Sequence, residues 1–225
     1  MAQQTSELWK RLVRDPDTRR EYRVKINGVE YGEDALIAHS VSGGLFETVG
    51  IGHAAAAVLN LTLVAPDVPR GAKIEREVRL ALGDEVSEWL PKGRFWTNRR
   101  SESDGIWDIE AFDALRRGAV PYVLEGEQDE WPQKATDVVA EIAAMLGVEL
   151  DPRTPLDDSI LVGHPGDRTV QTVLCHIGAA MGGNWYITDA GLLRLVRLNS
   201  APAETSLLVD EYGDYITLGG VRIRV

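Results

Sequence analysis

Tyr22-Arg23-Val24-Lys25-Ile26-Asn27-Gly28-Val29-Glu30-Tyr31 decides how the first half of this chain is read. Val24 and Ile26 alternate with Arg23 and Lys25, the period-two pattern of a strand with one buried and one wet side. Asn27-Gly28 supplies two residues that tolerate positive φ, which a two-residue hairpin turn requires, and Val29 opens the return strand. A chain that starts with a tight hairpin builds antiparallel sheet.

The pattern continues on the C-terminal side. Residues 35–41 read as a strand ended by Ser42-Gly43-Gly44. Leu59, Leu61 and Leu63 share one side, with Asn60 and Thr62 on the other, until Pro66 stops the run. Ile74, Val78, Leu80 and Leu82 line the next strand opposite Glu75, Glu77 and Arg79, and Arg76 interrupts the apolar side to give a wet end. Residues 86–90 and 93–97 flank Pro91-Lys92, residues 98–105 form a polar stretch, and Ile106-Trp107-Asp108-Ile109 resumes the sheet before a short helix near 111–117. Short strands separated by turns predict an antiparallel barrel or sandwich rather than βαβ units.

After a breaker at 125–132 the period changes. Thr136 or Asp137 caps a helix whose stripe is Val138, Val139, Ile142, Met145 and Leu146, and Gly147 ends it. A Pro- and Asp-rich loop, 151–167, leads to a second helix capped by Thr169, with Val170, Val173, Leu174, Ile177 and Met181 buried and Gly182-Gly183 as its stop. Residues 184–188 and 192–198 form a hairpin around Asp189-Ala190-Gly191. Residues 215–218 and 221–225, around Gly219-Gly220, look like strand, turn, strand, and the last edge is expected to pair with something. The expected fold is therefore α+β: a strand-rich barrel over 1–125, a separate helix-helix-hairpin module over 134–200, and C-terminal strands over 204–225.

With 35 acidic against 24 basic residues, a net charge of −11, the long-range field repels polyanions and makes nucleic acid a poor default partner. Lys10, Arg11, Arg14, Arg19, Arg20, Arg23 and Lys25 run against that trend and read as a solvated or intersubunit surface. One cysteine, Cys175, excludes an internal disulfide framework and a Cys-based zinc site. The first seven residues lack a secretory pattern, and the apolar runs at 54–59 and 138–146 are shorter than the roughly 18 residues of a membrane span, so folding in the cytoplasm without stable membrane association is expected.

A search for chemistry finds little. His39, His53, His164 and His176 fall in different elements, without a metal-ligand motif. Cys175 and His176 are helix neighbours about 100° apart and cannot face each other, so Cys175 reads as a small buried residue and His176 as a helix-surface or interface residue. Gly50-Ile51-Gly52-His53-Ala54-Ala55 has Ala55 where a dinucleotide fingerprint needs its third glycine, and reads as a structural turn. Asp157-Asp158 lacks the alternating ligands of a calcium loop, and Glu110/Asp113 is a pair that chance supplies among so many acids. Trp9, Trp89, Trp96, Trp107, Trp131 and Trp185 read as core or interface, with a carbohydrate platform on Trp96 and Trp107 as the competing reading. No catalytic residue, cofactor or metal ligand is expected.

Taken in order, several segments resemble the baseplate-hub or tail-tip family of bacteriophages and phage-derived tail machines. They are Leu8-Trp9, residues 22–31, residues 50–56 followed by 59–63, residues 69–74, residues 87–95, residues 109–115, and residues 169–177 with Gly182-Gly183-Asn184-Trp185 and Asp189-Ala190-Gly191. The resemblance runs from Leu8 to Leu198 and rests on order and spacing. It implies a tail-tube-type barrel, an inserted helical module and a second barrel starting near Glu204. It further implies a homo-oligomeric ring, a trimer before a hexamer, between the tail tube and the spike. The partners so implied are tube, distal-tail, tape-measure and spike or tip proteins, with DNA only passing through the channel. Family members are generally longer, and about 20 residues after Glu204 are too few for a second barrel. Either the chain is short, or its last strands complete a barrel with the first half or with a neighbour. The competing class is a carbohydrate- or cell-surface-binding module using exposed tryptophans.

Overall fold

A computed structural model of the chain describes residues 5–43, 50–122 and 130–198, and the backbone of 217–218 and 221–222. Helix α1 (Glu7–Leu12), capped by the Ser6 hydroxyl, lies beside the sheet and buries Leu12. The sheet is made of β1 (Arg19–Ile26), β2 (Val29–Tyr31), β3 (Leu36–Ser42), β4 (Val58–Val64), β5 (Lys73–Leu82), β6 (Glu85–Val86), β7 (Leu90–Ser103) and β8 (Ile106–Phe112). All neighbours are antiparallel, in the order β2-β1-β5-β7-β8-β4-β3, with β6 beside β5. Asn27 and Gly28 both take positive φ, 49° and 88°, so the opening hairpin forms as its turn residues require.

The two end strands, β2 and β3, are consecutive in the chain. Laid flat, six inter-strand gaps would hold them about 29 Å apart, whereas the five Cα steps from Tyr31 to Leu36 span at most about 18 Å. The sheet must curl, and it encloses Val24, Ile26, Leu59, Leu61, Leu63, Ile74, Phe95 and Ile109. It does not close. Among the described residues the hydrogen-bonded path ends at β2 and at β3, which corrects the expected closed barrel. The three-residue β2 is too short to ladder along β3, and side chains bridge the inside of the seam instead. Tyr22 of β1 and His39 of β3 meet edge-on with ring centroids 4.5 Å apart, and the guanidinium of Arg76 sits 4.9 Å over the Tyr22 ring. Arg76, expected at a wet end, is half-buried there.

Two further boundaries differ from expectation. Residues 98–103 belong to β7, which pairs with β8 as far as Ser103↔Ile106 and turns at Asp104-Gly105, both with positive φ. Both sides of that stretch are largely solvated, so its composition mimics a loop while its backbone remains laddered. The short helix is a 3-10 helix, Ala114–Ala119, because β8 carries Ala111 and Phe112 and Asp113 caps the turn.

The second half contains β9 (Gln133–Lys134), α2 (Ala135–Leu146), β10 (Leu161–Val162), α3 (Val170–Ala180), β11 (Gly183–Ile187) and β12 (Leu193–Arg197). Gly147 ends α2 in the left-handed conformation, and the Thr169 hydroxyl accepts from Thr172 N at the start of α3. Helix α2 starts at Ala135, ahead of the expected Thr136 or Asp137 cap, and Met145 is exposed rather than buried. The core here joins Val138, Val139, Ile142, Val173, Leu174 and Trp185, is distinct from the core inside the sheet, and takes in Ala54 and Leu115 from the first half. The backbone of β13 (Thr217–Leu218) pairs antiparallel with β14 (Val221–Arg222). The expected start of a second barrel otherwise lies outside the described residues.

Candidate assembly surfaces

Alternation in β1 turns Arg19, Glu21, Arg23 and Lys25 outward, and the register sets Arg23 against Glu77, Glu21 against Arg79 and Lys25 against Glu75 of β5. Arg23 Nε lies 2.6 Å from Glu77 Oε2, Lys25 Nζ 3.0 Å from the same oxygen, and Arg79 Nε 2.7 Å from Glu21 Oε2. Trp89 is held between two guanidiniums, Arg23 at 4.2 Å and Arg79 at 4.6 Å from its ring centroid. Burial pushes the Glu77 carboxyl up, but Lys25 and Arg23 outweigh it and hold it below the usual range. The Arg79 and Arg19 hydrogen bonds do the same for Glu21. Much of the basic run is thus spent on neighbouring carboxylates, since Lys10 and Arg11 also pair, with Glu7 and Glu85.

The junction between the halves is built by residues 50–57. Asn184 Oδ1 accepts from His53 N at 3.0 Å and its Nδ2 donates to Gly50 O at 3.0 Å. Gly52 N donates to Gly183 O, Trp185 N to His53 O, and Gln171 Nε2 to Ala54 O. The glycine-rich run is therefore an added edge on β11. Gly52 has φ +83°, and a Cβ there would sit 2.9 Å from the Ala179 Cβ and 3.0 Å from Cys175 O, so close helix packing demands glycine. Asp113 closes the junction: Oδ2 accepts from Ala57 N and Oδ1 from Leu115 N. Burial pushes its carboxyl up to about 6 against the pull of those two donors. At the far side Lys92 Nζ is 2.7 Å from Asp189 Oδ2 in the β11–β12 turn.

The remaining candidates are dispersed. Cys175 is half-buried and burial pushes its thiol up, while the neighbouring His176 is exposed. His39 is pushed down by burial and by Arg76, and the His164 ring packs on Trp131. Asp157 accepts from Ser159 N and Oγ, an exposed loop closure. Glu110 faces outward to Asn98 whereas Asp113 is buried. Among the described residues no group of three or more His, Cys, Asp or Glu can hold a metal, and no helix is long and apolar enough to cross a membrane.

The tryptophans do not make a shared platform. Phe95 and Ile109 face the core, so Trp96 points out of the curled sheet and Trp107 into it. Trp96 lies under Arg117, 3.9 Å from its centroid, and Trp107 Nε1 donates to Ala65 O. Trp185 is fully buried, and the other five are half-buried. What does lie open is aliphatic: Ile37, 56% exposed, and Val41 on the unpaired edge of β3, and Val64 beside Ile106 on the outer side of β4 and β8. Sequence reading left these four unassigned, because alternation does not tell which apolar side chain a neighbouring strand or chain covers.

No family model matches the chain, and no curated protein matches it. In fold it is similar to the 43 kDa tail protein of prophage MuSo2 from Shewanella oneidensis, with a TM-score of 0.53 and 14% identity over 89% of this chain and 61% of that one. It is also similar to a tail protein from Neisseria meningitidis MC58, with a TM-score of 0.50 and 14% identity over 82% of this chain and 53% of that one. The chain spans less than two thirds of the length of either, and what it shares with them is the fold.

Proposed function

We propose that this protein is a structural component of a phage or phage-derived tail, a baseplate-hub or tail-tip subunit that forms a ring between the tail tube and the spike or tip. The fold shared with two prophage tail proteins supports the reading. The observation that carries it is the open, curled sheet: among the described residues β3 ends the hydrogen-bonded path with Ile37 and Val41 uncovered, and Leu36–Ser42 holds no charged residue other than a titratable His39. An unprotected edge of this kind is stable in solution when another chain covers it. The ring proposed is a trimer, with a hexamer as the competing order. It is located in the virion tail after assembly in the host cytoplasm, and it contacts tube, distal-tail, tape-measure and spike proteins. The net charge of −11 favours passage of DNA through the channel without sticking.

The test is co-expression with the tube and tip proteins, followed by light-scattering mass measurement and electron microscopy. A ring of defined order is expected, and a strictly monomeric chain that enters no complex would sink the proposal. Trp96 and Trp107 lie on opposite sides of the sheet, which counts against a carbohydrate platform shared by the two.

A further inference from the structure

We infer that, besides the chain that covers the β3 edge, copies in the ring share a head-to-tail contact, in which the β7–β8 hairpin tip of one copy docks in a cleft between the 160–165 loop and α3 of the next. The inference rests on the ring reading above and names the surfaces that carry it. The cleft, about 260 Å³, has a floor of Val173 and Ile177, while His164, Arg168 and His176 stand among its lining residues. Among the described residues no carboxylate lines it, an exception in a chain with 35 acids. Its volume is below the roughly 300 Å³ at which small-molecule sites begin and suits an aliphatic anchor of the kind that centres protein interfaces.

The hairpin tip is its complement. Val64 and Ile106 stand opposite each other in the β4–β8 register, 49% and 38% exposed. Asp104 occupies the turn and Asp108 follows on the same side of β8. Of the basic residues of that hairpin, Arg100 donates to Val68 O, while Arg99, 83% exposed and 3.9 Å from Glu110, stands back from the turn. Other exposed aliphatics fit less well. Beside Val86, Glu85 is paired with the Arg11 guanidinium, whereas at the tip Asp108, among the described residues, accepts only from the neutral Thr62 hydroxyl and keeps its charge unpaired; Ile37 and Val41 have no acid within their strand. Tip and cleft are both open in one copy, so they do not meet within it. Two different, complementary surfaces are what a closed ring requires, in contrast to the single self-complementary patch of a two-fold dimer.

The experiment compares full-length wild type, Ile106→Lys and Arg168→Glu by sedimentation velocity over a concentration series, with far-UV circular dichroism and melting as fold controls. Wild type is expected to self-associate, more weakly as salt is raised. Each variant alone is expected to associate at least about tenfold more weakly, because like charges then meet at the contact. An equal mixture of the two is expected to regain association through alternating copies, in which the substituted tip meets the substituted cleft and the native tip meets the native cleft. A three-membered ring keeps one mismatched contact, so the recovered species are expected to be open or even-numbered. Recovery also shows that both variants are folded. Variants that assemble as wild type does, or a mixture of folded variants that stays monomeric, overturn this contact and leave the ring reading standing. A wild type that stays monomeric both alone and with the tube and tip proteins overturns both.

Discussion

Asp113 is the residue where burial and capping compete. It carries the N-cap of the 3-10 helix and the link to Ala57, yet its carboxyl is pushed up to about 6 by burial. Between about pH 4 and pH 6 the folded state keeps a proton that the unfolded chain releases, so this group's contribution to stability falls as pH rises through that window. Asp113→Asn cannot titrate. In urea titrations the stability advantage of wild type over the variant is expected to shrink from about pH 4 to about pH 6 and to stay constant above. Parallel profiles would show that the carboxyl does not titrate in that range. Sequence reading saw Asp113 as half of an acidic pair with Glu110 and not as a cap, because its two donors come from residues 56 positions before it and 2 after it.

At the scale of elements, what was legible was what repeats locally. The alternation in β1 and β4, the Asn27-Gly28 turn and the Thr169-capped α3 follow from side-chain spacing, and the structure has them. The strand character of residues 98–103 was not legible, since a strand wet on both sides has no apolar period to read. Nor was the pairing of residues 50–54 with β11, which joins parts of the chain more than 130 positions apart. Asn184, fully buried, holds that pairing through two hydrogen bonds to the backbone of Gly50 and His53. Asn184→Ala is expected to cost about 2–4 kcal/mol, through two lost bonds and buried backbone groups left unpaired. Hydrogen exchange is the check. The His53 amide should lose protection before the amides of β4 and β8, and uniform loosening of the whole sheet would mean that the junction is not a separate unit.

For the whole molecule, charge and topology govern behaviour together. The net −11 leaves little attraction for a polyanion, and the basic run near the start is largely taken up by Glu21, Glu77 and Glu85. The protein is therefore expected not to retard duplex DNA in gel-shift assays at physiological salt. Salt-dependent binding there would mean that the basic residues are available after all. The curl of the sheet also belongs to this scale, because it follows from end strands that are neighbours in sequence.

Local side-chain spacing was enough to read the strand-rich first half and the helix-helix-hairpin order of the second. These depend on the period of side chains along a few residues and on residue types that are present or missing. Only the tertiary structure decided that the sheet curls without closing, that the glycine run packs on α3, that the two candidate tryptophans face opposite ways, and that aliphatic residues stay open on β3 and beside the β7–β8 turn. Which strand lies next to which is set by long-range contacts. An edge strand and a central strand have the same period, so only the assembled sheet distinguishes a buried valine from an exposed one.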